Sequence, residues 1–144
     1  VLFRSGTAAR FHIGVSVNPW AASLEEELKR LAYKVEAGAE FVVTPPVFDV
    51  PAFKRFLDRI SRHALPVVAG VALMESVRHA EFLANEVSGG RLPQATLERL
   101  TRAEQRGEAV GEGRAIARET AMALMPLVQG IRVSSMDFLD IPLI

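Results

Sequence analysis

The chain has 144 residues, 49% of them hydrophobic, with 17 basic residues balanced by 17 acidic ones and no cysteine. That length suits one domain with a real core. The charge balance excludes an electrostatic footprint for nucleic acid or an anionic membrane surface. The absence of thiols excludes a disulfide framework and a thiolate metal site, and fits a cytoplasmic protein. No apolar run reaches the roughly 18 residues of a bilayer span.

The opening Val1-Leu2-Phe3-Arg4-Ser5 lacks a methionine and reads as extraneous, so residues 1–10 are set apart from the fold. His12 to Val17 is β-branched at alternate positions and ends at Asn18-Pro19, which predicts a first strand. Ser23 and Glu26 form a capping-box pattern, and Leu24, Leu28, Leu31 and Val35 recur at helical spacing. Glu25 and Lys29, and Glu26 and Arg30, are i,i+4 pairs of favourable order. Gly38 suits the left-handed residue that ends such a helix.

Phe41 to Thr44 predicts a second strand, stopped by Pro45-Pro46. Asp49 and Pro51 then open a helix whose apolar face is Phe53, Phe56, Leu57 and Ile60. Val67 to about Leu73 predicts a third strand. Gly70 within it marks a close approach by backbone or ligand. A third helix is expected over 75–87, a short extra helix over 93–100, a mobile Gly-punctuated turn over 102–113 and a fourth full helix over 114–127. Gly130 to Ser134 predicts the last strand, and 136–144 shows no clear period.

Alternating strand and helix implies an α/β fold with a parallel sheet and outer helices. Four such units cannot close a (β/α)8 TIM barrel, which takes about 250 residues. The expectation is half of such a barrel over 11–135, its function carried at the C-terminal ends of the strands.

Three phrases carry a family resemblance. They are Gly14-Val15-Ser16-Val17-Asn18-Pro19, Lys34-Val35-Glu36-Ala37-Gly38-Ala39 with Thr44 and Phe48-Asp49 after it, and the run from Ala80 to Gly89. Together they resemble the flavin-dependent methylenetetrahydrofolate reductases, most of all the form fused to homocysteine methyltransferase. The resemblance covers Phe11 to Ser134 and implies the C-terminal half of an FAD-binding barrel. It implies NAD(P)H as reductant, FAD as cofactor and 5,10-methylenetetrahydrofolate as substrate.

Position by position, the resemblance places Asn18 against the flavin cofactor, Glu27 at a ribose hydroxyl and Lys34 at the FAD phosphates. Glu27 and Lys34 also read as ordinary solvated helix residues. It places Thr44, Pro45 and His79 at the substrate. Pro45 departs from the family, which has there a glutamine bonding the pterin; proline offers no such partner. The family's catalytic glutamate belongs to the first strand of the full barrel, so no catalytic residue is expected in this chain, which reads as inactive alone. No metal is expected, since no His/Asp/Glu cluster has ligand spacing. The Ser134-Ser135 pair reads as a turn at a strand end. Two alternatives remain open at this point: an inert or self-associating half-barrel, possible as a homo-oligomer, and a fragment of a pterin-binding methyltransferase barrel.

Overall fold

A computed structural model describes residues 11–90 and 92–134. The expectations for 1–10, Ser135 and 136–144 lie outside these residues. Strands β1 (Gly14–Ser16), β2 (Phe41–Pro46), β3 (Val67–Ala72) and β4 (Gly130–Ser134) form one parallel sheet in the order β1-β2-β3-β4. Each strand lies beside its predecessor, with helices making the crossovers that parallel neighbours require.

Helix α1 (Leu24–Glu36) starts where Ser23 Oγ accepts from Glu26 N at 3.4 Å, and the chain leaves it through Gly38 at φ +102°. Helix α2 (Val50–Ile60) starts where Asp49 Oδ1 accepts from Ala52 N at 2.8 Å, with Pro51 in its first turn. A 3-10 turn, Ser61–His63, follows. On the wet side Arg30 sits 3.8 Å from Glu26. Glu25 departs from the sequence expectation: it pairs with Arg59 of α2 rather than with Lys29.

Helix α3 (Val77–Phe82) is capped by Ser76, whose Oγ accepts from His79 N at 3.0 Å. It widens into a π-helical turn, Leu83–Ser88, that packs across β2 and stops at Gly89, φ +68°. Helices α4 (Gln94–Gln105) and α5 (Ala109–Leu124) are longer than the sequence suggested. The expected mobile turn shrinks to three residues, 106–108, around Gly107 at φ +73°. Gly111 and Gly113 look like helix breakers, but Gly113 is inside α5 for a packing reason. A Cβ there would stand 1.7 Å from the Met74 carbonyl oxygen, so only glycine lets α5 seat on that loop. Arg99 of α4 clasps α5, meeting Glu112 at 2.8 Å and Glu119 at 2.6 Å.

Leu28 and Leu31 of α1, Phe53, Phe56 and Ile60 of α2, and Ala117 and Leu124 of α5 pack with Val17, Val42, Val67, Ala69 and Val71 in one core. Val15 and Ile131 join the same cluster. Successive strand residues point to opposite faces, so Phe41, Val43, Val68 and Arg132 belong to the face away from these helices. There the Phe41 ring lies over Gly14, where a Cβ would be 2.2 Å from the ring.

Candidate functional site

The C-terminal end of β1 turns at Asn18-Pro19, and α1 fixes that turn from below. Glu27 is buried, and its Oε1 accepts from the Asn18 amide at 3.0 Å, while Oε2 stands 3.6 Å from Arg30 Nε. Asn18 Oδ1 accepts from Trp20 N at 2.9 Å, which folds the Asn-Pro-Trp loop into a tight turn. Asn18 Nδ2 has no partner among the described residues. Two turns along α1, Lys34 Nζ donates to the Ser16 carbonyl at 2.6 Å. Glu27 and Lys34 thus share one helix face, as their seven-residue spacing implies, and both reach the main chain of β1.

At the end of β2 the structure gives Thr44 a role that sequence reasoning did not foresee. Its side chain is 1% exposed. Its hydroxyl accepts from Gly70 N at 3.3 Å and donates to Pro45 O at 3.1 Å. Both partners are main chain, so Thr44 shapes the strand end from within instead of offering its hydroxyl to a ligand. The ladder register shifts between Val43 and Pro46, and the strand runs on through both prolines. Gly70 is required here: a Cβ would come within 2.7 Å of the Pro45 carbonyl group. The close approach read from the sequence is that of a neighbouring backbone. Pro45 is half-buried beside it.

His79 sits on the first turn of α3, just past the end of β3. Its Nε2 is buried with no hydrogen-bond partner among the described residues, which is rare for a native polar atom. Glu75, Ser76, Arg78, His79 and Phe82 line an open groove of about 340 Å³. The structure therefore brings Asn18, Pro45 and His79 to the C-terminal ends of three adjacent strands. Lys34 lies lower, along the outer edge of β1.

Trp20 is the residue the sequence reading missed. Its indole Nε1 donates to Pro46 O at 3.4 Å, and its ring lies against Gly90, where a Cβ would be 2.9 Å from Cγ. One side chain thus ties the β1 turn, the β2 end and the segment after α3. The sole tryptophan standing directly after an Asn-Pro strand end was the available signal. Among the described residues, no cluster of three or more His, Asp or Glu side chains is placed to hold a metal ion, and no helix is long and apolar enough to cross a membrane. A hydrogen bond from Arg59 holds Glu25 below the usual carboxylate range, and one from Arg99 does the same for Glu119.

Residues 2–142 match the family model for methylenetetrahydrofolate reductase. This chain belongs to the methylenetetrahydrofolate reductase family. It is also similar to methylenetetrahydrofolate reductase 1 of Schizosaccharomyces pombe, at 29% identity over 112 residues, covering 71% of this chain and 18% of that protein. The chain therefore spans about a fifth of the length of the curated relative that it matches. The parallel four-stranded α/β sheet fits part of the TIM barrel of this oxidoreductase family.

Proposed function

We propose that this chain is the C-terminal half, over 11–135, of the flavin-binding barrel of a methylenetetrahydrofolate reductase, and that its strand ends form one wall of the active site. FAD, when bound, carries hydride from NAD(P)H to 5,10-methylenetetrahydrofolate and so yields 5-methyltetrahydrofolate. The observation that carries the reading is the convergence of Asn18, Pro45 and His79 at the C-terminal ends of β1, β2 and β3, the end where barrel enzymes hold their chemistry.

The residues present fit such a group on one side. Asn18 keeps its Nδ2 donor free, facing the Gly89 backbone region at the strand end. Lys34 uses one N–H on Ser16 O and keeps two for phosphate oxygens. Glu27 acts first as a positioning residue, since it holds the Asn18 amide; its remaining acceptor capacity suits a ribose hydroxyl. Thr44 supports the β2 end from behind. His79 meets the folate, where its orphaned nitrogen gains a partner. The opposite wall, with the catalytic glutamate, comes from a half-barrel not included in these residues. Pre-organisation needs both walls, so the chain alone is inactive.

The test is an NAD(P)H-dependent reduction assay on this chain joined to the N-terminal half-barrel of a close relative. His79→Ala should raise the KM for the folate with little change in flavin content, and Asn18→Ala should lower flavin content. If both variants match the parent in each respect, these strand ends are not the site.

A further inference from the structure

We propose that Trp20 is a positioning residue: its indole locks the β1 turn to the end of β2, and so holds the cofactor-facing and folate-facing parts of the wall in register. This rests on the assignment of these strand ends to one wall of the active site. The β1–β2 ladder runs as far as Ser16 beside Val43, with a bond from Val17 N to Val43 O at 3.0 Å. Beyond it β2 continues through Pro45 and Pro46, which have no N–H to give a neighbouring strand. The ladder with β3 shifts register over the same residues. Side chains therefore fasten this strand end. Toward β3 it is Thr44, whose hydroxyl accepts from Gly70 N. Toward β1 it is Trp20, whose Nε1 donates to Pro46 O at 3.4 Å.

The same residue sets Asn18. Trp20 N donates to Asn18 Oδ1 at 2.9 Å, while Glu27 holds the Asn18 amide at 3.0 Å. With Oδ1 engaged, the carboxamide presents its Nδ2 end toward Gly89, where an added Cβ would lie 3.9 Å away. Trp20 N keeps that place only while its ring is seated, and the ring touches both Pro46 O and Gly90. A Cβ at Gly90 would stand 2.9 Å from the ring's Cγ, so the seat has no slack on that side. Ring, main-chain amide and carboxamide form one line of contacts from Pro46, the neighbour of Pro45, to Asn18. An indole suits the task because it joins a large apolar body to a single N–H donor. Phenylalanine fills most of the seat without the donor, which separates the two contributions.

In the full chain the sole tryptophan gives a single indole N–H resonance. Its proton should be protected from exchange, and Gly90→Ala should reduce that protection; exchange at the rate of a free indole overturns the bridge, whatever the site binds. The functional consequence is measured on the chain joined to a relative's N-terminal half-barrel, as FAD Kd and folate KM, with Asn18→Ala and His79→Ala as controls. Trp20→Ala should weaken FAD binding and raise folate KM together, each by about 2–12-fold, the range of one net hydrogen bond, with kcat per bound flavin little changed. Gly90→Ala leaves Trp20 in place but displaces its ring, and should reproduce both shifts. Trp20→Phe should raise the KM alone, since it keeps the seat and loses the bond to Pro46. A residue that only packs would lower the folded fraction and total activity, yet leave Kd and KM of the folded protein at the parental values. Unchanged constants in Trp20→Ala and Gly90→Ala, beside controls that shift theirs, overturn the role of Trp20 and leave the active-site assignment standing. A shift of one constant alone in Trp20→Ala overturns the coupling. Controls that shift nothing overturn the active-site assignment, and the role of Trp20 with it. Where Trp20→Ala loses its helical circular dichroism, Trp20→Phe and Gly90→Ala decide.

Discussion

Glu27 on α1 and Asn18 at the end of β1 are joined by a 3.0 Å hydrogen bond from the Asn18 amide to a carboxylate that is almost wholly buried. The bond makes the helix responsible for the shape of the strand end. Removing the carboxylate leaves a half-buried amide without this partner, which costs up to about 1–3 kcal/mol. Glu27→Ala should therefore lower the unfolding free energy by that amount in urea titrations. Glu27→Gln keeps an acceptor and should recover most of it. Equal losses in both would mean that the charge, not the hydrogen bond, matters.

Two glycines of α5 give opposite expectations. Gly113→Ala drives a methyl into the Met74 carbonyl oxygen and should destabilise by about 1–3 kcal/mol or more. Gly111 is exposed, with nothing within 4 Å of a built Cβ. Gly111→Ala should stabilise by up to about 1 kcal/mol through helix propensity. Thermal melts of the two variants beside the parent check the pair of signs.

Much of the architecture was legible because it rests on local signals. Ser23, Asp49 and Gly38 mark helix ends by side-chain capping and backbone freedom, and the structure uses all three as read. The α4–α5 region was misread because Gly111 and Gly113 were weighed as local breakers, whereas the contact that needs Gly113 comes from Met74, far away in sequence. The site was legible as a set of strand ends and not as a set of contacts. Nothing local distinguishes a threonine that offers its hydroxyl to a ligand from Thr44, which spends it on Gly70 and Pro45. Trp20 escaped for the same reason: its partners Pro46 and Gly90 are assembled only by the fold.

Thr44→Val replaces the buried hydroxyl with a methyl of similar size. The Gly70 amide loses its bond to Oγ1, so stability should fall by about 1–3 kcal/mol. Hydrogen exchange at Gly70 should speed up more than exchange at Ala69, whose amide the hydroxyl does not touch. Uniform acceleration across β3 would show a global loss instead.

Acid should loosen two outer ion pairs, Glu25 with Arg59 and Glu119 with Arg99. Glu119 and Glu25 have carboxyls held below their usual value of 4.5 by Arg99 and Arg59. A depressed carboxyl contributes stability that is fully present above the unfolded value and is lost as the pH falls through the folded one. Melting temperature should thus hold from neutrality to about pH 5 and decline below the usual carboxylate range. Both groups are exposed, so the effect is modest and screened by salt. Glu119→Gln should flatten part of that decline.

Pro45 stands where the resemblance expects a glutamine against the pterin. In the barrel completed with a relative's N-terminal half, Pro45→Gln restores a hydrogen-bond partner. A buried polar group left unpaired costs about 1–3 kcal/mol, or about 5–150-fold in affinity. Folate KM should fall within that range while flavin binding stays unchanged. Identical kinetics in both proteins would mean that Pro45 does not face the substrate.

Flavin binding tests the central claim most directly. FAD fluorescence is titrated with this chain alone and with the chain joined to the N-terminal half-barrel. One wall of a pocket should leave FAD fluorescence essentially unquenched, and the completed barrel should quench it at one FAD per chain. A folded completed barrel that leaves FAD free would contradict the assignment of Asn18, Glu27 and Lys34 to a flavin site.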